Sequence, residues 1–333
     1  MSPPKKWKKR TRLGIGLGVG LLGAILLGLR YGLRRSARQQ IPDDLSPAIF
    51  ARRLCSTSLG DMVYHTSGAG APIVFLHGLY PGASSFEWSR VYPNFVLSHS
   101  VVAADLIGYG ESERPSQALS ADDHASSLAD LLLEVCSTSP ACLVCSGASC
   151  AIALLTASRH PERVGHLILL NPVIPRPQAP SAPLGLRIAA SIPPLGRFIY
   201  DATLAREHSL RAWLLKIGLS NPSKYSDEIL RNLLVCAQQP GARHAILHLI
   251  RGGLESNVLS RLQHVPHPVT ILTKENADSS PDRDPELIAS SLPKSRTLKI
   301  PACGTLAALE IPDEISSLIT PAIQNFPRWE NVA

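Results

Sequence analysis

Residues 142–154 read CLVCSGASCAIAL. Leu143-Val144 is a short apolar run, and Ser146 to Ser149 are small residues suited to a turn. Ala151 to Leu154 then open a helical pattern that Pro161 stops. The stretch reads as strand, tight turn, helix. Such a turn leaves Ser146, Gly147, Ala148 and Ser149 at the end of a buried strand.

The same rhythm runs outward on both sides. Ile73–Leu76, Val101–Ala104 and Val164–Leu170 are continuous apolar runs, as strands covered on both faces should be. Met62–Tyr64, Val269–Leu272 and Thr297–Ile300 are further strand candidates. Ala125, Leu128, Ala129 and Leu132 fall on one helical face of 121–136. Leu306–Ile319 reads as a closing helix that Pro312 interrupts. Strands alternating with helices predict an α/β fold with a mostly parallel sheet and helices on both faces. Residues 173–266 break the rhythm with a proline-rich stretch and helical segments, a helical cap inserted between two sheet strands.

Composition sets the outer limits. The chain has 333 residues, 45% apolar and 18% charged, enough for a substantial core. The net charge of +7 is concentrated at one end, in Lys5, Lys6, Lys8, Lys9, Arg10 and Arg12, then Arg30, Arg34, Arg35 and Arg38. That placement marks a tail and argues against a nucleic-acid-binding face. The seven cysteines are an odd number and several sit in strand or helix patterns, so they read as buried hydrophobes. Cys142 and Cys145 form an isolated CxxC on a strand, where alternate residues face opposite ways, so no metal site is expected.

Between the two basic clusters, residues 13–29 read LGIGLGVGLLGAILLGL. This uncharged run predicts a membrane anchor over 13–33, behind a basic tail (1–12) and before a linker (34–48). A cleaved signal peptide is the rival, but no small-x-small site follows. Six basic residues before the run and four after it favour a cytoplasmic N-terminus; the unpaired cysteines favour a reducing compartment for the domain. The side of the membrane stays open. Gly14/Gly18 and Gly16/Gly20 are GxxxG pairs that offer a homodimer contact, or simply dilute the anchor.

Several stretches together carry a resemblance to a known family. IVFLHG (73–78), DLIGYGESERP (105–115), AIALLTASRHPERVGHLILLNP (151–172), PVTILTKEN (268–276) and LKIPACGTLAALEIPDE (298–314) resemble the α/β-hydrolase fold, in its capped, epoxide-hydrolase-like or lipase-like branch. The likeness implies a core of 49–172 and 267–333 around the cap at 173–266. It also implies a serine, an acid and a histidine in chain order.

At each of those positions this sequence departs from the pattern. Gly147 stands at the nucleophile position, with Ser146 one residue early and Ser149 two late. Ala277 stands at the acid position, with Asp278 one place on. Thr305 stands at the histidine position, and the last histidine in the chain is His267. The oxyanion hole uses backbone N–H groups and is expected from the turn of His77 and Gly78, at Leu79, and at Ala148. His244 and His248 share a helical face in the cap and are either pocket-lining or ordinary cap residues. Cys145 and Cys150 flank the elbow without occupying it.

Two functions follow. The first is a membrane-anchored pseudohydrolase, without cofactor, whose capped pocket binds a small apolar ligand or whose surface binds a partner. The alternative is an active esterase-like or lipase-like hydrolase using a displaced serine, Ser146 or Ser149.

Overall fold

A computed structural model describes residues 50–136, 139–176, 182–256, 258–274, 284–292 and 294–324. All lie in the unit spanning 39–333. Eight strands form one sheet: β1 (Ala51–Thr57), β2 (Gly60–Ser67), β3 (Pro72–Leu76), β4 (Ser100–Ala104), β5 (Ala141–Ser146), β6 (Val164–Leu170), β7 (Val269–Lys274) and β8 (Ser295–Ile300). Their order is β1-β2-β4-β3-β5-β6-β7-β8. β1 and β2 are antiparallel to their neighbours; the rest run parallel.

The strands form where the apolar runs predict them, because parallel strands are buried on both faces. Every residue of β3 and of β6 is buried. Period-two alternation sends neighbours to opposite cores. Leu143, Leu167 and Leu169 join one cluster with Leu128, Leu132 and Ile152. Val144, Ile168 and Leu170 join the other with Phe75, Trp88 and Ile315. β1 has no apolar pattern because it is an exposed edge strand, held to β2 by a hairpin at Ser58-Leu59.

The helices cover these faces. α1 (Ala121–Val135) starts at a capping box between Ser120 and Asp123. α2 (Ser149–Arg159) follows β5. Between β6 and β7 run α3 (Leu184–Ser191), α4 (Pro193–Ile199), α5 (Glu207–Trp213), α6 (Asp227–Ala237), α7 (Arg243–Ile250) and α8 (Val258–Arg261), with no strand among the described residues there. α9 (Asp284–Ser291) precedes β8. The closing helix is split at Pro312 into α10 (Ala307–Glu310) and α11 (Pro312–Gln324).

The expected membrane anchor is not supported. Among the described residues no helix is long and apolar enough to cross a membrane. Even α1 has 15 residues, against the roughly 20 that a bilayer core requires. The run at 13–33 and its GxxxG pairs lie outside the described residues.

The strand order places the site. β3 has β4 on one side and β5 on the other, so the connections diverge between β3 and β5. In such sheets the crevice beyond the carboxyl ends of these strands is where ligands bind. Here those ends carry His77-Gly78-Leu79 and Ser146-Gly147-Ala148.

Candidate active site

The turn after β5 keeps the backbone of a nucleophile elbow. Gly147 has φ +57°, the left-handed conformation that any side chain makes costly. A Cβ built on Gly147 would meet nothing within 4 Å. The position that would hold the nucleophile is therefore open space, and Gly147 and Ala148 are both half-buried beside it. Asn171, at the end of the adjacent β6, also has positive φ, +44°. Asparagine is among the few side chains that tolerate this.

The two displaced serines differ. Ser149 is fully buried, and its hydroxyl bonds the Ser146 carbonyl at 2.8 Å and the Leu76 carbonyl at 3.3 Å. It also accepts from the Ser146 N–H at 3.2 Å. Ser149 is thus a strut tying the elbow to β3. Ser146 is also buried, and its hydroxyl is among the groups that lower the pKa of the nearby Glu87 carboxyl.

Glu87 belongs to the site although no motif marked it. The turn Ser85–Trp88 buries all four of its residues. Trp88 anchors it by donating from Nε1 to the Leu76 carbonyl at 3.0 Å and packing 5.4 Å from Phe75. Glu87 Oε2 accepts from the Gly78 N–H and from the Tyr80 hydroxyl, each at 2.7 Å. Its other oxygen, Oε1, has no hydrogen bond in the structure. Burial pushes the Glu87 carboxyl above its ordinary pKa, while Ser146, Gly78 and Tyr80 pull it back. In the sequence Glu87 is only an acid between two aromatics, FEW at 86–88, which does not say what it meets.

The oxyanion groups stand as the turn places them. His77 is fully buried, with Nδ1 bonded to the Gly78 carbonyl at 2.7 Å. Its Nε2 accepts from the Leu106 N–H at 3.1 Å. Both nitrogens are occupied, so His77 shapes the loop and has no free nitrogen for a serine proton. The Gly78 N–H is taken by Glu87, whereas the N–H groups of Leu79 and Ala148 donate to no described residue.

The position expected for histidine is fastened to the segment between β6 and β7. The Thr305 N–H donates to Ile217 at 2.9 Å and the Leu306 N–H to Gly218 at 2.8 Å. A Cβ on Gly304 would lie 2.2 Å from the Gly218 carbonyl, so only glycine permits this approach. Glu310 holds the junction, accepting from Gly304 at 2.7 Å and from Ser220 and Asn221. On the other side of the site, Tyr80 stacks on Trp213 of α5 at 5.1 Å.

Ala277 and Asp278 lie outside the described residues. His248 lines a small cavity with His124, Tyr109 and Leu254, while His244 bonds the Pro115 carbonyl at 3.3 Å. No histidine hydrogen-bonds Ser146 or Ser149 among the described residues. Burial raises the Cys145 and Cys150 thiols well above their usual pKa, which makes them poor nucleophiles. All seven cysteines are free.

One cluster escaped the sequence. His65, Asp105 and Glu111 bring their polar atoms within 4.8 Å of one another. Each is already engaged: Asp105 accepts from the N–H groups of Ser85 and Glu111, and Glu111 pairs with Arg52 and His65. The cluster braces the loop after β4.

The alpha/beta hydrolase family profile matches residues 73–317. The chain belongs to the alpha/beta hydrolase family. Among curated members of this family, it is 40% identical over 112 residues to a 2-hydroxymuconate semialdehyde hydrolase from Pseudomonas sp. (strain CF600). That match covers 32% of this chain and 38% of that relative, so well under two thirds of its length is shared. A 2-hydroxy-6-oxo-6-(2'-aminophenyl)hexa-2,4-dienoic acid hydrolase from Metapseudomonas resinovorans is 22% identical over 277 residues, 82% of this chain and 90% of that one. Among solved members of the fold, the haloalkane dehalogenase DatA from Agrobacterium tumefaciens C58 superposes with TM-score 0.69 at 20% identity, covering 86% of this chain and all of that one. At that identity the superposition speaks for the alpha/beta hydrolase fold alone.

Proposed function

We propose that this chain is a hydrolase acting on a small uncharged ester or related acyl compound, with Ser146 as its displaced nucleophile. One observation carries the reading: Ser146 ends β5 directly after Cys145, the partner of Leu76 on β3, and so sits beside the turn held by the buried Glu87, whose Oε1 has no hydrogen-bond partner. Ser149 is committed to backbone carbonyls. Two further features support it. The N–H groups of Leu79 and Ala148 are unspent, which suits a developing oxyanion. The relatives described above carry names of hydrolytic enzymes.

A second reading, a binding protein without chemistry, is favoured by Gly147 and Thr305 at two positions where the family carries reacting side chains. In that reading the same open elbow holds a ligand carbonyl without attacking it.

Fluorophosphonate labelling of the full chain separates them, with Ser146→Ala and Ser149→Ala alongside. Labelling that Ser146→Ala abolishes and Ser149→Ala retains supports the hydrolase. A folded chain that takes no label supports the binding reading, and a thermal-shift screen of small esters and acids then follows.

A further inference from the structure

Glu87 is buried beneath the turn that carries Gly78 and Leu79, 2% exposed. Two donors saturate its Oε2, from Gly78 and Tyr80, and none reaches Oε1. Each protonation state leaves Oε1 short of one partner. A carboxylate oxygen needs a donor there, and a carboxylic acid O–H needs an acceptor. A serine hydroxyl can be either, and Ser146 follows Cys145, the β5 partner of Leu76, so it stands beside the Gly78 turn that Glu87 holds, where its hydroxyl also helps to lower the Glu87 pKa. No hydrogen bond reaches Oε1 in the structure, so the acceptor site for a proton is open.

Resting on the hydrolase reading above, we propose that Glu87 is the proton acceptor for Ser146, in the role that histidine holds elsewhere. Ser146 Oγ forms a bond to the carbonyl carbon of an uncharged ester, and its proton passes to Glu87 Oε1. The carbonyl π electrons move to oxygen, opposite the Leu79 and Ala148 N–H groups. The proton then leaves Glu87 for the departing alkoxide oxygen as the carbon–oxygen bond breaks. Water repeats the sequence, releasing the acid and restoring Ser146 and Glu87.

The same geometry sets the substrate class. The missing side chain at Gly147 leaves open space next to a serine that is otherwise 2% exposed, so the acyl group enters there. An ionised Glu87 beside the reacting carbon repels anions, so neutral esters are preferred over carboxylate-bearing ones.

The test is fluorophosphonate labelling of the full chain as a function of pH, with Glu87→Gln and Tyr80→Phe. Glutamine keeps an oxygen for Gly78 and Tyr80 but takes no proton. Glu87→Gln should slow labelling by about 100-fold or more and remove the pH dependence. In the parent, labelling should rise with pH through a midpoint above the ordinary carboxylate range. Tyr80→Phe, which deletes one donor that stabilises the charged carboxyl, should move that midpoint higher. If Glu87→Gln labels at the parental rate with the same profile, or Tyr80→Phe leaves the midpoint in place, the assignment of Glu87 is overturned while the hydrolase reading stands. If the folded parent takes no label, both fall together.

Discussion

Glu310 and Ser220, ninety residues apart in the chain, are joined by three hydrogen bonds. The Ser220 N–H is shared between both carboxylate oxygens at 3.0 and 3.1 Å, and its hydroxyl donates at 2.8 Å. With the Gly304 and Asn221 N–H groups added, this carboxylate is the knot between the loop after β8 and the helical segment before β7. Those donors hold its pKa below the usual carboxylate value, against the opposing effect of burial. Its folded pKa is thus lower than its unfolded one, near 4.3. The contribution is complete above about pH 4.3 and is lost as pH falls through the folded pKa. Glu310→Ala should cost roughly 2 kcal/mol at neutral pH by urea unfolding, because charged hydrogen bonds are lost and the buried Gly304 N–H is left unpaired. The difference between parent and variant should shrink in strong acid.

Gly147 is a backbone position before it is a chemical one. Gly147→Ala meets no steric obstacle, since no atom lies within 4 Å of the new Cβ. It must still adopt φ +57°, at a cost of about 1–2 kcal/mol. Urea unfolding should show that loss with an unchanged denaturant slope. A loss well above that range would mean the space beside the elbow is filled.

Ser149→Ala should weaken the protein without touching its chemistry. The hydroxyl bonds Ser146 and Leu76 from a fully buried position. Removing it should cost about 1–2 kcal/mol and leave fluorophosphonate labelling in place. Melting temperature and labelling, read on one preparation, check both halves.

His124 and His166 set a separate acid dependence. Burial holds each neutral, with pKa lowered to about 4. In the unfolded chain each titrates near 6.5. Between those values the unfolded state binds more protons, so stability falls as pH drops from about 6.5 towards about 4, by about 1.4 kcal/mol per pH unit for each group. Nδ1 of His124 has no hydrogen-bond partner, so His124→Phe sacrifices little and should reduce this slope by the share of one histidine, leaving that of His166. Urea midpoints at several pH values above 4 read it apart from the Glu310 effect, which begins at lower pH.

The sheet was legible because parallel strands must be apolar throughout. Val164–Leu170 could be read residue by residue, and Pro312 marked the break in the closing helix. β1 was not legible, because an exposed edge such as ARRLCST carries no burial pattern. At the site, the glycine at the elbow was plain from spacing alone. Glu87 and Glu310 were not, because each is one acid inside an apolar run, in FEW and ALEI, and only the fold shows what it meets. The cluster of His65, Asp105 and Glu111 depends on the pairing of β2 with β4, which no linear spacing encodes.

The left-handed backbone at Gly147 also has a historical consequence. Any other residue there holds the turn under tension, and glycine lets it rest. A lineage that exchanges a side chain for glycine at this point gains stability in the same step that it surrenders a reactive group. The return path runs uphill, and no single change at position 147 restores the partners that a nucleophile there would need. The elbow thus acts as a ratchet on the sequence, and new chemistry is more easily found in the residues around it than regained at its tip.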